Sequence, residues 1–97
     1  MAKTYYSTDL AVALQYDGNT APRITAKGRG LDAEQIIALA EQHGIPLRTE
    51  PELAGILAQI PLGEEIPEEL YRAVAEIIAF AYFLGSSVIS VGKKAPF

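Results

Sequence analysis

Cysteine is absent from the 97 residues. That absence removes disulfide frameworks, thiol nucleophiles and cysteine–zinc sites together, and it suits a reducing compartment. Histidine occurs once, as His43, so histidine-based metal sites and catalytic triads have almost nothing to build on. Positive charge is scarce: eight Lys and Arg stand against twelve Asp and Glu, for a net charge of −4. Binding to nucleic acid rests on neutralising phosphates, and an acidic small domain is poorly equipped for it. Anionic membrane surfaces are disfavoured on the same ground. No apolar run approaches the roughly 20 residues that a spanning helix needs; the longest, Ile77 to Leu84, falls far short. Met1-Ala2-Lys3-Thr4 leads into tyrosines and polar residues, which is no secretory leader. The expectation is a soluble cytoplasmic protein without cofactor, metal, nucleic acid or direct membrane insertion.

Hydrophobic residues make up 49% of the chain and charged residues 21%, the profile of a folded domain. The length suits one domain and is too short for two. Leu10 to Tyr16 reads as a buried strand ended by the turn formers Asp17-Gly18-Asn19. Arg23 to Lys27 reads as a second, weaker strand, antiparallel to the first. A helix follows. Asp32 is its expected N-cap, Gln35 completes a capping box, and Leu31 with Ile36 forms a hydrophobic staple. Its inward stripe reads as Ile36, Ile37, Leu39 and Ala40, with Gly44 and Pro46 as its stop. Ile45 to Arg48 reads as a third strand. Strand, helix and strand at this spacing predict a crossover that leaves the second and third strands parallel.

A second helix is predicted from near Pro51, with Leu53, Ile56, Leu57 and Ile60 facing inward and Pro61 ending it. Pro67, Glu68 and Glu69 open the longest helix, whose inward residues are Leu70, Val74, Ile77, Ile78 and Ala81 and whose stop is Gly85. The apolar residues from Ala79 to Leu84 wrap around this helix, so some of them must stay exposed or meet a partner. Residues 1–85 are expected to form the domain. Residues 86–97 read as a tail that carries Val88-Ile89-Ser90-Val91, then frays into a disordered end.

Three clusters invite a chemical reading. Ser7-Thr8-Asp9 offers a hydroxyl, but its only available base is His43, which suits the last turn of a helix through the helix dipole. A polar turn explains the cluster better. Glu64-Glu65 and Glu68-Glu69 are paired carboxylates, yet acids at a helix start are ordinary. An acid–base hydrolase built on His43 with Glu64 or Glu65 is retained as a formal alternative. Lys27-Gly28-Arg29-Gly30 precedes a helix as a phosphate cradle does, but it lacks the dinucleotide and P-loop patterns. No residue is assigned a catalytic role.

Four segments in order carry a resemblance: A-V-A-L-Q-Y-D, A-P-R-I-T-A-K-G, I-P-L-R-T-E-P-E-L-A and G-E-E-I-P-E-E-L-Y-R-A-V-A-E-I-I-A-F-A-Y. Together they resemble the cytoplasmic C-terminal domain of the FlhB/YscU family, the substrate-specificity switch of flagellar and type III secretion export apparatus. The resemblance implies an α/β (α+β-like) single domain: a small mixed four-stranded sheet surrounded by three to four helices. It also implies a strand before Leu10, with Lys3 to Tyr6 at the sheet edge. Family members carry four membrane helices ahead of this domain, so the chain is expected to be a free-standing soluble relative.

Family switches cut themselves in an Asn-Pro-Thr-His loop, where the asparagine amide attacks its own carbonyl. In that register this chain has Tyr6, Ser7, Thr8 and Asp9, of which only Thr8 matches. Tyrosine has no amide to cyclise, so the resemblance implies a chain that stays whole. The expected role is non-enzymatic binding in export or specificity control at the cytoplasmic face of the apparatus. The partners implied are the membrane-embedded half of the switch, the export gate's cytoplasmic ring or export substrates. Ser7, Thr8 and Asp9 of the loop and the basic group Arg23, Lys27 and Arg29 are the candidate contacts; a solvated strand face is the plainer explanation of the basic group. The alternative function is a general adaptor, oligomerising through its last helix, that kept the fold and lost the export role.

Overall fold

The computed structural model describes residues 10–93. Strand β1 (Leu10–Gln15) and strand β2 (Arg23–Arg29) form an antiparallel pair. Helix α1 (Leu31–Gln42) and strand β3 (Leu47–Thr49) follow, then helix α2 (Pro51–Leu57). A short 3-10 turn, Glu68–Leu70, leads into helix α3 (Tyr71–Phe83). Strand β4 (Val88–Lys93) closes the order. The four strands form one mixed sheet in the order β2-β1-β4-β3.

The expected tail is where the fold departs most from expectation. Val88–Lys93 is a central strand, antiparallel to β1 and parallel to β3. Ile89 and Val91 are fully buried. The run Val-Ile-Ser-Val is short and follows a helix stop, which makes it look dispensable in sequence, yet it alone joins the two halves of the sheet. The boundary drawn after residue 85 therefore divides one core. The remaining part of the tail, and the edge strand expected at Lys3 to Tyr6, lie outside the described residues.

The crossover also needs correction. β2 and β3 do run in the same direction, but they are opposite edges of the sheet and share no hydrogen bonds. The chain passes over β1 and over the place that β4 fills later.

The two faces of the sheet are built differently. Leu10, Val12 and Leu14 of β1, Ile24 of β2, and Ile89 and Val91 of β4 share one face with Ala54 and Leu57 of α2 and Val74, Ile77 and Ala81 of α3. Burying each of the larger side chains contributes roughly 1.5–3 kcal/mol. The other face is made of small residues. Register sets Ala11 beside Gly28 and Gly92, and Ala13 beside Ala26 and Ser90. That shallow surface lets α1 lie close. A Cβ on Gly28 would come within 2.6 Å of the Asp32 Cβ and 3.3 Å of the Ala33 nitrogen.

This closeness explains the start of α1. Gly30 occupies the N-cap position at φ 59°, a backbone turn that favours glycine, and no side chain caps the helix. Glu34 N–H donates to the Gly30 carbonyl at 3.1 Å. Asp32, expected as N-cap, lies inside the first turn together with Glu34, where both acids complement the helix dipole. The capping box is therefore not formed. The buried residues of α1 are Ala33 and Ala40, with Ile36 and Ile37 half-buried and Leu39 exposed, so the stripe is rotated from the expected one. A face of small residues accepts alanines where a deeper one would demand leucines. The end of α1 is as expected: Ile45 N–H reaches back to the Ala40 carbonyl at 2.8 Å past Gly44.

Helix α2 buries Ala54 and Leu57 and leaves Ile56 exposed. Gly55 sits inside this helix, and an added Cβ would meet nothing within 4 Å. Gly55→Ala is expected to stabilise the protein by about 0.4–1 kcal/mol, because alanine loses less backbone freedom on folding. A urea titration reads this directly; an unchanged or lower midpoint would mean that Gly55 has a packing role the geometry does not show.

Candidate functional site

Of the residues singled out in the sequence, Tyr6, Ser7, Thr8 and Asp9 lie outside the described residues. They lead into Leu10, which registers with Arg29 on one side and Lys93 on the other. Arg23, Lys27 and Arg29 are all exposed on β2. Two of them are tied to the chain itself. Arg23 donates to the Gly63 carbonyl at 3.2 Å and pairs with Glu65 at 3.1 Å. Lys27 Nζ donates to the Ala58 and Ile60 carbonyls at 3.0 and 2.8 Å, closing the open end of α2. They fasten the segment after α2 to the edge of the sheet, alongside the Arg23–Glu65 bridge and the Gly63 and Ile66 backbone bonds to Ile24 and Pro22. The exposed ion pair itself is worth about 0–1 kcal/mol.

A concave site lies elsewhere. A groove of about 720 Å³ runs along α3, facing the turn between β1 and β2. Tyr71, Val74, Ala75, Ile78, Ala79 and Tyr82 supply the helix side. These positions recur three and four residues apart and so share one helix face. From Tyr71 to Tyr82 the stripe covers about 16 Å of helix axis. Tyrosines mark its ends and alanines its middle. The turn side is Tyr16 and residues 18–22, and Ile66 completes the lining.

Each wall has its own cause. α3 is anchored by Val74, Ile77 and Ala81, buried against the sheet, which leaves the adjoining stripe open to solvent. Tyr16 is fixed by its N–H bond to the Ser87 carbonyl at 2.9 Å. At the other end of the turn, Ile66 N–H donates to the Pro22 carbonyl at 2.9 Å. Between these points Asp17 organises the chain: its Oδ1 accepts from the N–H groups of Asn19 at 2.8 Å and Thr20 at 2.9 Å. The Thr20 N–H first, and then that of Asn19, holds the Asp17 carboxyl below the usual carboxylate range.

The groove's chemistry is adhesive. Its lining is mostly apolar, with three tyrosines and the polar Asn19 and Thr20 at hand. The other apolar residues of α3 point away from it: Phe80 carries the Arg48 guanidinium 5.0 Å above its ring, and Phe83 is 92% exposed. The wrap-around apolar pattern of the last helix was the one sequence signal for this site. The contribution of the β1–β2 turn was invisible there, because Gly-Asn-Thr-Ala-Pro reads only as a connection. His43 ends α1, whereas Glu65 is engaged by Arg23. Among the described residues no helix is long and apolar enough to cross a membrane, and no cluster of three or more His, Asp or Glu could hold a metal.

Comparison with known proteins assigns this architecture. Residues 7–81 match the model of the FlhB HrpN YscU SpaS family. The chain is 43% identical over 79 residues to the flagellar biosynthetic protein FlhB of Aquifex aeolicus, covering 78% of this chain and 23% of that protein. It is 39% identical over 92 residues to FlhB of Salmonella typhimurium, covering 92% of this chain and 24% of that one. The chain thus spans about a quarter of the length of these flagellar relatives. It is 41% identical over 80 residues to the protein YlqH of Bacillus subtilis, here covering 80% of this chain and 86% of the relative. The crystal structure of a mutated EscU C-terminal domain superposes with a TM-score of 0.73 at 34% identity, covering 76% of this chain and 93% of that one. A mixed four-stranded sheet with three helices, shared with that domain, and sequence identity across most of the chain lead to one conclusion: the chain belongs to the FlhB HrpN YscU SpaS family.

Proposed function

We propose that the chain acts in protein export by binding alone, with the α3 groove as its docking site for a short apolar segment of an export substrate. The groove itself supports this reading. It follows the length of α3, the ends of its helix side are tyrosines, and the small residues Ala75, Ala79 and Ala21 leave room for a bulky side chain. Charges of both signs adjoin its lining residues in sequence: Asp17, Glu68 and Glu69, and on the other side Arg23, which Glu65 engages, and Arg72. The net charge of −4 favours a basic flank on the bound segment. The same proposal includes control of specificity at the cytoplasmic face of the apparatus, next to its membrane-embedded half; membership of the family supports this reading.

The proposal includes the absence of self-cleavage, because the register of the family's cyclising asparagine holds Tyr6. Purified protein held for days at neutral pH keeps its intact mass; a stable fragment beginning at Ser7 would overturn this part. The test of the groove is complementation. Cells of the chain's own system, with the switch protein cut back to its membrane helices, receive this chain in trans. Secretion of rod- and hook-type substrates is then measured. Export returns with the native chain and falls roughly tenfold with Ala75→Trp, which fills the groove from an exposed position without entering the core. Absent export with the native chain present at adequate level would overturn the export role. Full export with Ala75→Trp would remove the groove from it.

A further inference from the structure

The two walls of the groove differ in what holds them. The α3 wall is fixed by the core behind it. The turn wall has no such backing: residues 17–20 are all exposed, so no burial sets their shape. Backbone pairing does not hold them either. Among the described residues, no backbone–backbone hydrogen bond falls between the Tyr16 N–H and the Pro22 carbonyl. What remains is one side chain. Asp17 Oδ1 takes both the Asn19 and Thr20 N–H groups, and the Thr20 hydroxyl lies 3.4 Å from each carboxylate oxygen.

We infer that Asp17 is a positioning residue of the groove, whose carboxylate holds the turn from residue 17 to residue 20 in the shape that makes the second wall. It touches no ligand in this role. It determines whether Asn19, Thr20 and Ala21 are already in place when a ligand arrives. This deepens the docking proposal and rests on it. Without the carboxylate the turn samples other shapes, and any ligand must order it on binding.

The test uses the full chain and a fluorescein-labelled short peptide carrying a phenylalanine and a leucine between lysines. Anisotropy gives its affinity for the native chain, Asp17→Ala, Asp17→Asn and Ala75→Trp, at a temperature where circular dichroism shows all four folded. Asp17→Ala is expected to bind about tenfold more weakly, since several backbone torsions must be frozen at each encounter. Asp17→Asn keeps an Oδ1 acceptor for the same two N–H groups and restores most of the affinity, which loss of charge alone could not do. Amide exchange at Asn19 and Thr20 accelerates in the alanine variant and returns to native rates in the asparagine variant. If Ala75→Trp abolishes binding while Asp17→Ala binds as tightly as the native chain, the positioning role is wrong and the groove stands. If Ala75→Trp leaves binding unchanged, or the native chain does not bind the peptide, the docking reading fails, and this inference with it.

Discussion

A chain ended after Gly85 is expected to be unfolded or insoluble, whereas its length and the helix stop suggest a complete domain. The cut removes Val88–Lys93, and with it both the antiparallel ladder to β1 and the parallel ladder to β3. β1–β2 and β3 are left with nothing between them. It also removes Ile89 and Val91, both at 0% exposure, from the larger core. A milder version gives a number. Ile89→Ala should cost about 2–5 kcal/mol, as large-to-small changes at fully buried sites do. Against a domain stability of about 5–15 kcal/mol this is a large share. Urea unfolding of Ile89→Ala and circular dichroism of the truncated chain measure the two effects. A truncated chain that keeps its spectrum and its cooperative transition would show that β4 is an accessory strand.

The second large effect belongs to Gly28. Its Cα faces the first turn of α1 so closely that alanine would put a methyl 2.6 Å from the Asp32 Cβ and 3.1 Å from the Asp32 carbonyl carbon. Neither is the far end of a flexible side chain, so the helix or the strand must move. Gly28→Ala should therefore destabilise by about 1–3 kcal/mol, the usual range for overpacking. For a domain of this size that lowers the melting temperature by roughly 4–8 °C per kcal/mol. Gly92→Ala is the matched control: it lies opposite Ala11 on the same face, but its new methyl would meet neighbours at an ordinary 3.5 Å. Equal losses at the two positions would show that any glycine on this face matters through its strand conformation and not through the approach of α1.

Much of the architecture was readable because local rules and global fold agreed. β1 announces itself as an apolar run ended by Asp-Gly-Asn, and α3 by a stripe whose residues Val74, Ile77 and Ala81 are the ones buried. The errors came where tertiary geometry overrode a valid local signal. Asp32 and Gln35 have the spacing of a capping box, but the chain leaves β2 through Gly30, and the helix begins before Asp32. Leu39 fits an inward stripe by period, yet the sheet face below α1 is too shallow to bury it. β4 has the composition of a core strand, but nothing local tells a strand that it will be inserted between two earlier ones. Family resemblance supplied the sheet and its setting; it did not supply the groove. That site joins α3 to a turn about fifty residues earlier in the chain, and its turn wall is held by the carboxylate of Asp17.

The insertion of the last strand between the first and the third also fixes a timetable. During synthesis β1 and β2 emerge early and can pair at once, but the other edge of β1 waits for a partner encoded some seventy residues later. At about 5–20 residues per second that wait lasts several seconds. Throughout it, an apolar strand edge bearing Leu10, Val12 and Leu14 has no native neighbour. The sheet cannot close until β4 has emerged, so this domain folds around its last strand and not strand by strand as it is made. The nascent hairpin is then the species most exposed to strand-pairing with other chains, and the one on which a trigger-type chaperone would have the most to protect.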